Sequence, residues 1–256
     1  MNKLNNKLLN ILNSKFFIGT SGWYYRRWIN LFYPGNLSSP KWFEFYLQHF
    51  NSVELNSPFY KMPKISNTKQ WLRFVKNISS ESFKYSVKIN KIITHSERLD
   101  TSSDNFIQNI LRYFNAISII KEYLGAILFQ IPPSFKFNEK NIEKIKMFNK
   151  FIFNNEIIEN SIFENLKNDF EFNKNIQNLM DLINLIKSKK ILIAFEFRDK
   201  SWFDKNIIKF IYDLGFVFAI IDAPLNKKIP FIFPEFDNNE IYIRLHGHDK
   251  SYWYKY

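Results

Sequence analysis

The chain has 256 residues, of which 46% are hydrophobic and 19% aromatic, and it carries a formal charge of +12 and no cysteine. This composition excludes a disordered protein, and Asn and Lys break every apolar run before the ~18 residues of a membrane-spanning helix, which excludes a membrane protein. Without cysteine there are no disulfides, thiolate metal sites or thiol nucleophiles, and we expect a reducing, cytoplasmic location.

Strands and helices are predicted to alternate along the chain. An N-terminal extension over residues 1–15 has the pattern of a short amphipathic helix. Seven segments have the pattern of buried strands, at residues 16–22, 52–59, 84–90, 125–133, 191–198, 216–222 and 240–247. Helical patterns lie between them, at residues 40–50, 66–77, 103–123, 139–153, 176–189 and 201–214.

Capping residues and one biased stretch refine these boundaries. Ser103 and Ser201 stand where helix N-caps belong, and Gly215 has the position of a helix C-terminal glycine. The stretch 154–178 is rich in Asn and acidic residues. We predict that it is a surface insertion in a loop conformation.

The alternation predicts an α/β fold class. Repeated βαβ units give a parallel sheet with right-handed crossovers. Seven or eight such units in one domain, which we expect to span residues 1–256, favour a TIM-type (β/α) barrel over an open doubly wound sheet. No GxGxxG or Walker loop follows the first strand, which also counts against a nucleotide-binding open sheet.

Polar side chains near the strand ends predict where a site lies. Side chains alternate between the two faces of a strand, so Glu196 and Arg198 lie on the face opposite Phe195 and Phe197. The same analysis turns nine polar residues toward the barrel mouth: Glu54, Asn56, Lys88, Gln130, Glu196, Arg198, Asp222, Arg244 and His246. Barrel proteins carry their sites there. We favour a site over the alternative, a buried ion-pair network that only fills the top of the barrel.

Six segments in order resemble the motifs of a known family. They are GTSGW at 19–23, ELNSPFY at 54–60, TH at 94–95, LFQIPPSF at 128–135, EFRDKSW at 196–202 and YIRLHG at 242–247. The chain resembles the YecE-like family, the domain of unknown function 72, from about residue 17 onward. The resemblance implies a TIM-barrel fold and brings no established reaction. The functional positions that it implies are Thr20, Trp23, Glu54, Asn56, Tyr60, Lys88, His95, Gln130, Glu196, Arg198, Trp202, Asp222, Arg244 and His246.

The C-terminus departs from the family pattern. Members usually continue past the His-Gly strand through another helix and a final strand, whereas this chain stops at Tyr256. We therefore expect an incomplete barrel of seven strands, with a gap between segments 16–22 and 240–247. Whether a chain of this kind is active stays open.

Two enzymatic hypotheses fit the polar set. An acid–base enzyme would use Glu54, Glu196 and Asp222 together with His246, and retaining glycosidases of this kind hold two carboxyls about 5 to 5.5 Å apart. A metal-dependent phosphodiesterase is less favoured, because metal-binding His spacings are absent and two arginines would repel a divalent cation. We predict no metal ligand and no cofactor.

A third hypothesis is anion recognition without chemistry. Lys88, Arg198 and Arg244 would hold a phosphate or carboxylate through charge-assisted contacts. Only 7 of the 36 basic residues are Arg, so the bidentate fork is expected to matter where Arg stands. Three aromatic residues after strand ends could stack on a base or sugar, or simply cap the core: Trp23, Tyr60 and Trp202.

The positive charge also bears on the partner. Residues 1–128 hold 17 Lys and Arg against 7 Asp and Glu, whereas residues 129–256 hold 19 against 17. A basic surface of this kind can attract nucleic acid through counterion release. A biased coding composition, rich in Asn, Lys, Ile and Phe, explains the same excess and is the interpretation that we favour.

We predict an enzyme, a hydrolase of the phosphodiesterase type or another acid–base enzyme, that acts on a phosphorylated or nucleic-acid-like ligand in an anion-binding pocket. The expected catalytic residues are Glu54, Glu196, Asp222 and His246. The expected ligand-binding residues are Thr20, Trp23, Asn56, Tyr60, Lys88, His95, Gln130, Arg198, Trp202 and Arg244. The alternative is a non-catalytic module that binds nucleic acid or phosphorylated ligands. The sequence leaves the oligomeric state open.

Overall fold

The computed structural model describes residues 15–166, 173–224, 229–234 and 240–248. The strands are β1 Gly19–Thr20, β2 Ser52–Leu55, β3 Lys84–Lys88, β4 Leu124–Gln130, β5 Leu192–Glu196, β6 Val217–Phe218, β7 Ile220–Asp222 and β8 Ile243–Leu245. The α-helices are α1 Trp42–Tyr46, α2 Ser57–Tyr60, α3 Ile65–Val75, α4 Asp104–Ile117, α5 Glu139–Phe153, α6 Asn155–Leu166, α7 Ile176–Lys187 and α8 Lys205–Asp213. The predicted N-terminal helix falls, apart from Lys15, outside the described residues.

The strands form parallel sheets in chain order. Strands β1 to β6 make one sheet in which each strand pairs in parallel with the next, and β7 pairs in parallel with β8. The predicted strand at 216–222 changes partner at its middle. The Ala219 amide donates to the carbonyl of Phe195 in β5 at 2.8 Å, and the next amide, of Ile220, donates to Tyr242 beside β8 at 2.9 Å. The α/β class with a mostly parallel sheet is therefore confirmed.

The described strands do not close into a ring. Within the described ranges, β1 pairs only with β2 and β8 pairs only with β7. Strand β1 is also shorter than the predicted segment 16–22. The residues before β1 form hydrogen bonds with a side chain and not with a neighbouring strand. The Asn51 side chain accepts from the Ile18 amide at 2.7 Å and donates to the Phe16 carbonyl at 2.8 Å.

The two faces of the sheet bury different cores. The outer face packs under the helices, where Phe129 of β4 and Phe195 of β5 both contact Phe148 of α5, at ring separations of 5.1 and 6.1 Å. On the opposite face a small separate core forms from Leu128, Ala194, Val217 and Ala219, and Tyr242 packs against it. This division follows from the alternation of side chains along each strand.

Several predicted boundaries are wrong for local reasons. The segment 52–59 is a strand only to Leu55, because Ser57-Pro58 begins α2 with proline at the start of the helix. The last helix begins after Asp204, which accepts from the amides of Asn206 and Ile207 at 2.8 and 3.3 Å, and not after Ser201. Ser201 instead donates to Asp199 at 2.5 Å.

The predicted C-terminal glycine and the predicted insertion have different outcomes. Gly215 follows α8 with a φ of 79°, and its amide donates to the Tyr212 carbonyl at 2.8 Å, as a helix-ending glycine does. The loop predicted at 154–178 is wrong for residues 155–166, which form α6. Ile158 and Ile162 of α6 are buried in the outer core, and their spacing of four residues puts them on one helix face.

None of the described helices has the length and apolar character needed to span a membrane.

Candidate functional site

The parallel strands deliver polar side chains to one edge of the sheet. Strands β3, β4, β5 and β7 end on Lys88, Gln130, Glu196 and Asp222. Parallel strands point their carboxyl ends the same way, so side chains at these ends converge. The adjacent ends of β4 and β5 meet directly, since the Gln130 amide donates to Glu196 Oε1 at 2.6 Å.

Arg244 joins two carboxylates from different strands. Its Nε and Nη2 donate to the two oxygens of Glu54, at 3.0 and 2.7 Å, which is the bidentate geometry of a guanidinium on a carboxylate. Its Nη1 donates to Glu196. The side chains of Arg244 and Glu54 are 11% and 10% exposed, and that of Glu196 is fully buried. Every nitrogen of this guanidinium is therefore already used inside the protein.

Glu196 is locked in the ionised form. Burial by itself raises the pKa of this carboxyl, but the positive charges of Arg244 and Arg198 outweigh burial and bring the pKa to about 2. Arg198 donates from Nη2 to Glu196 and lies 3.4 Å from His246 Nε2. A carboxylate held in this way cannot deliver a proton near neutral pH.

Arg198 keeps unused donor capacity. Its Nε is buried and has no hydrogen-bond partner among the described residues. Its side chain is 19% exposed, more than the side chains of Arg244 and Glu196. Arg198 is therefore the more exposed arginine of the charged cluster, which we define as Glu54, Lys88, Glu196, Arg198 and Arg244.

Lys88 is the cation of this cluster without a carboxylate partner in the described part of the chain. The residue is 7% exposed, and its Nζ lies 3.7 Å from the centroid of the Phe59 ring, a cation–π contact. Burial, followed by the charge of Arg244, lowers the pKa of Lys88 to about 8, although Glu196 and Glu54 act in the opposite direction. The cluster thus holds three cationic side chains against two carboxylates.

Two histidines lie beside the cluster in the neutral form. Burial lowers the pKa of His246 to about 4. The charge of Glu196 acts to raise this pKa, and the charges of the two arginines act to lower it. Burial and the charge of Lys88 also lower the pKa of His95, whose ring meets Phe59 edge-on at 5.3 Å. The His95 Nδ1 lies 2.9 Å from the hydroxyl of Thr94.

Three polar side chains that the sequence analysis did not select complete the cluster. The Tyr242 hydroxyl donates to Glu54 at 2.8 Å and lies 2.6 Å from the hydroxyl of Ser86. Ser21 donates to Glu54 at 3.2 Å and accepts from Asn56. Tyr242 could have been found, because it shares the strand face of Arg244; Ser21 lies beyond β1, where no parity argument reaches.

The other predicted site residues lie outside this network. Asp222 is 2.7 Å from His248 Nε2 and binds none of the cluster arginines among the described contacts. Trp202 is fully buried, stacks on Phe197 at 4.1 Å and donates to the Phe135 carbonyl at 2.7 Å, so its ring belongs to the core.

Of the predicted site residues in the first two motifs, Thr20 and Trp23 contact other residues of the protein, and Tyr60 lies at the surface. Thr20 binds Tyr46, whose hydroxyl is 2.9 Å from the Thr20 amide. Trp23 packs edge-on against Phe43 at 4.8 Å. Tyr60 is 71% exposed, so it remains accessible to a ligand.

The donor set of the cluster does not fit a divalent metal. Both carboxylates bind a guanidinium, which leaves a metal ion in competition with Arg244 for the same oxygens. Across the described ranges no group of three or more His, Asp or Glu side chains is arranged to hold a metal ion.

A surface depression lies at the opposite edge of the sheet. It has a volume of about 400 Å³ and is open to solvent, and its lining includes Phe16, Ile18, Phe50 and Asn51, which precede β1 and β2. The charged cluster is at the carboxyl ends of the strands, so the depression is not part of it.

The fold and the cluster define an α/β protein with a parallel sheet and a buried ion-pair network at its carboxyl edge. The family model described as "Protein of unknown function DUF72" matches residues 17–256, and the chain belongs to this family. The resemblance inferred from the six sequence motifs is therefore confirmed.

Relatives of known sequence or structure agree with this assignment. The chain is similar to the UPF0759 protein YunF of Bacillus subtilis, with 23% identity over 93% of this chain and 72% of the relative. It is also similar in structure to a DUF72 family protein (TM1631) of Thermotoga maritima, with a TM-score of 0.60, 22% identity and coverage of 94% and 77% of the two chains. A DUF72 family protein (EF0366) of Enterococcus faecalis has a TM-score of 0.55, 20% identity and coverage of 82% and 71%.

Proposed function

We propose that the protein binds a small phosphorylated ligand at the charged cluster and acts on it by acid–base chemistry. The observation that carries the proposal is the cation excess of the cluster. Glu54 and Glu196 are both bound to Arg244, while Lys88 has no carboxylate partner among the residues that the structure describes. A buried cation without a counter-ion is costly. An oxyanion from solution would remove that cost.

The donors left free indicate how an oxyanion would bind. The buried Nε of Arg198 has no described partner, and a guanidinium edge matches the geometry of a phosphate. Each guanidinium nitrogen of Arg244 already donates to Glu54 or Glu196, so we propose Lys88 and Arg198 as the main anion-binding groups among the three cations.

The acid–base groups are proposed to be His246 and His95, not the carboxylates. A general base must be unprotonated near neutral pH and must be able to accept a proton, and the lowered pKa values of both histidines meet the first condition. Glu54 and Glu196 are tied to Arg244, which disfavours the paired-carboxylate mechanism of a glycosidase.

We also propose that the sheet curves into a TIM-barrel-like arrangement around the charged cluster. Side chains of β8 and its preceding residue reach three other strands, since Tyr242 binds Glu54 of β2 and Ser86 of β3, and Arg244 binds Glu196 of β5. One strand can contact all three only from the concave side of a curved sheet. This supports a barrel-like fold with its site at the carboxyl edge.

Thermal unfolding in inorganic phosphate tests the proposed function. A ligand that binds only the folded protein adds about 2.7 kcal/mol at a concentration a hundredfold above its Kd, so the Tm of the wild-type protein should rise with phosphate concentration. Arg198→Lys should weaken the phosphate affinity about tenfold, because a point charge cannot reproduce the fork. Arg112, exposed on α4, supplies the matched control Arg112→Lys, which should behave like wild type.

Two results would contradict the proposed function. One is a wild-type Tm that phosphate does not raise beyond an equal ionic strength of chloride. The other is equal phosphate affinity in the two arginine variants. If phosphate binds but no phosphorylated compound is turned over, the non-catalytic binding module is the better description. Binding of a single-stranded oligonucleotide that weakens steeply with salt would favour a nucleic-acid partner.

A further inference from the structure

Lys88 has the surroundings of a reactive amine. It is the last residue of β3 and is 7% exposed, and its Nζ lies over the face of Phe59 at 3.7 Å. No carboxylate in the described ranges forms an ion pair with it. Lysines become nucleophiles when their ammonium is desolvated or placed next to other cations, because both conditions favour the neutral amine.

We propose that Lys88 forms a Schiff base with a small aldehyde or ketone that carries a phosphate group. The inference rests on the proposed function, because Arg198 is to hold the phosphate while the carbonyl carbon meets Lys88. It goes further in naming the reactive functional group of the substrate and a covalent step.

The covalent step balances without any co-reactant. The ammonium of Lys88 first gives one proton to a neutral base, and the lone pair of the amine then forms the N–C bond. The carbonyl oxygen leaves as water with two of the three original ammonium hydrogens, and the third remains on the iminium nitrogen. The iminium carries the same positive charge as the ammonium, so a phosphate bound beside it remains a favourable counter-ion.

The charged groups around Lys88 favour this role. Arg244, Glu196, Glu54 and Arg198 all act on the ammonium, and burial with the nearest positive charge brings the pKa of Lys88 to about 8. A measurable fraction of the side chain is thus the free amine near neutral pH, unlike an ordinary lysine. The two carboxylates that could restore the usual pKa are bound by Arg244.

His95 is the proton acceptor in this proposal. The centroid of its ring lies 5.3 Å from that of Phe59, with the two rings nearly perpendicular, and the Lys88 Nζ lies 3.7 Å from the same Phe59 centroid. Burial and the charges of Lys88, Lys91 and Arg98 lower the pKa of His95, so the imidazole is neutral and able to accept a proton. His246 is neutral for the same reason and lies beside Arg198.

Trapping of the imine tests the proposal directly. The full chain is incubated with glycolaldehyde phosphate and cyanoborohydride, which reduces an iminium to a stable secondary amine, and the modified lysines are identified by peptide mass spectrometry. Lys91, exposed and three residues further along the chain, is the internal reference. We expect modification of Lys88 to exceed that of Lys91 by about tenfold, to increase as the pH rises through about 8 and to be suppressed by inorganic phosphate.

Variants and a parallel binding measurement separate the possible results. Lys88→Arg should abolish the selective adduct, whereas Lys91→Arg should leave it in place; if Lys88→Arg does not fold, suppression by phosphate in wild type decides. Modification spread evenly over exposed lysines, with the wild-type Tm still raised by phosphate, would overturn the Schiff base and leave the proposed function standing. A selective Lys88 adduct from glycolaldehyde itself, without any effect of phosphate on the Tm, would overturn the proposed function and with it the phosphate group of the substrate, while the imine at Lys88 would stand.

Discussion

Replacing Arg244 with methionine should destabilise the protein strongly, because it removes the shared partner of two buried carboxylates. Arg244 makes two hydrogen bonds to Glu54, at 3.0 and 2.7 Å, and a third to Glu196, and neither carboxylate can recover its hydration while the fold is intact. Breaking a buried pair by removing one partner costs about 3 to 5 kcal/mol. For a chain of this size that corresponds to a fall in Tm of about 6 to 20 °C.

The pH dependence identifies the cause of that loss. A protonated Glu196 does not need the guanidinium, and its pKa in the wild-type fold is about 2, so the difference in unfolding free energy between wild type and Arg244→Met should narrow as the pH falls toward about 2. Denaturant unfolding followed by circular dichroism measures both quantities. Arg112→Met, on the exposed face of α4, is the control and should change the free energy by less than about 0.5 kcal/mol. A loss in Arg244→Met below about 1 kcal/mol at neutral pH, or one that does not vary with pH, would refute the electrostatic account.

Two further predictions concern titration. The folded-state pKa of Glu196 is about 2, below its ordinary value of 4.5. The contribution of this ionised carboxylate to stability is therefore complete above pH 4.5 and is lost as the pH falls to about 2. Glu196→Gln should remove this part of the acid dependence in denaturant titrations. The pKa of His246 is about 4 in the folded state against an ordinary 6.5, so stability falls as the pH decreases through this interval, and an NMR titration of the ring should have its midpoint near 4; a midpoint near 6.5 would mean that the ring is solvated.

The sequence predicts the orientation of the strand residues well, because alternation has a period of two and needs no knowledge of distant contacts. Glu196 and Arg198 do lie on the face opposite Phe195 and Phe197, and Arg244 reaches the same side from a strand that is 48 residues further along. What alternation cannot supply is the choice of partner. Nothing in the sequence distinguishes an arginine that binds two internal carboxylates from one that keeps a donor free.

The errors in the fold arise where a side chain replaces regular structure. The segment before β1 is apolar and looks like a strand, but the Asn51 side chain takes the hydrogen bonds that a ladder would make to Phe16 and Ile18. Trp202 follows a strand end, a position that predicts a place near a ligand. The turn Lys200–Trp202 instead folds its ring back onto Phe197 of the core.

The pairing of Arg244 is also the reason that our proposal places the reactive group at Lys88. Two carboxylates at the carboxyl edge of a sheet would normally be the first candidates for acid–base catalysis, but here their charges are committed to the two arginines. Lys88, the third cation, has its Nζ over the Phe59 ring, and burial together with the charge of Arg244 lowers its pKa to about 8. In the proposed function the ion-pair network and the site are therefore not alternatives, because the bonds of Glu54 and Glu196 to the arginines leave Lys88 without a carboxylate partner among the described residues.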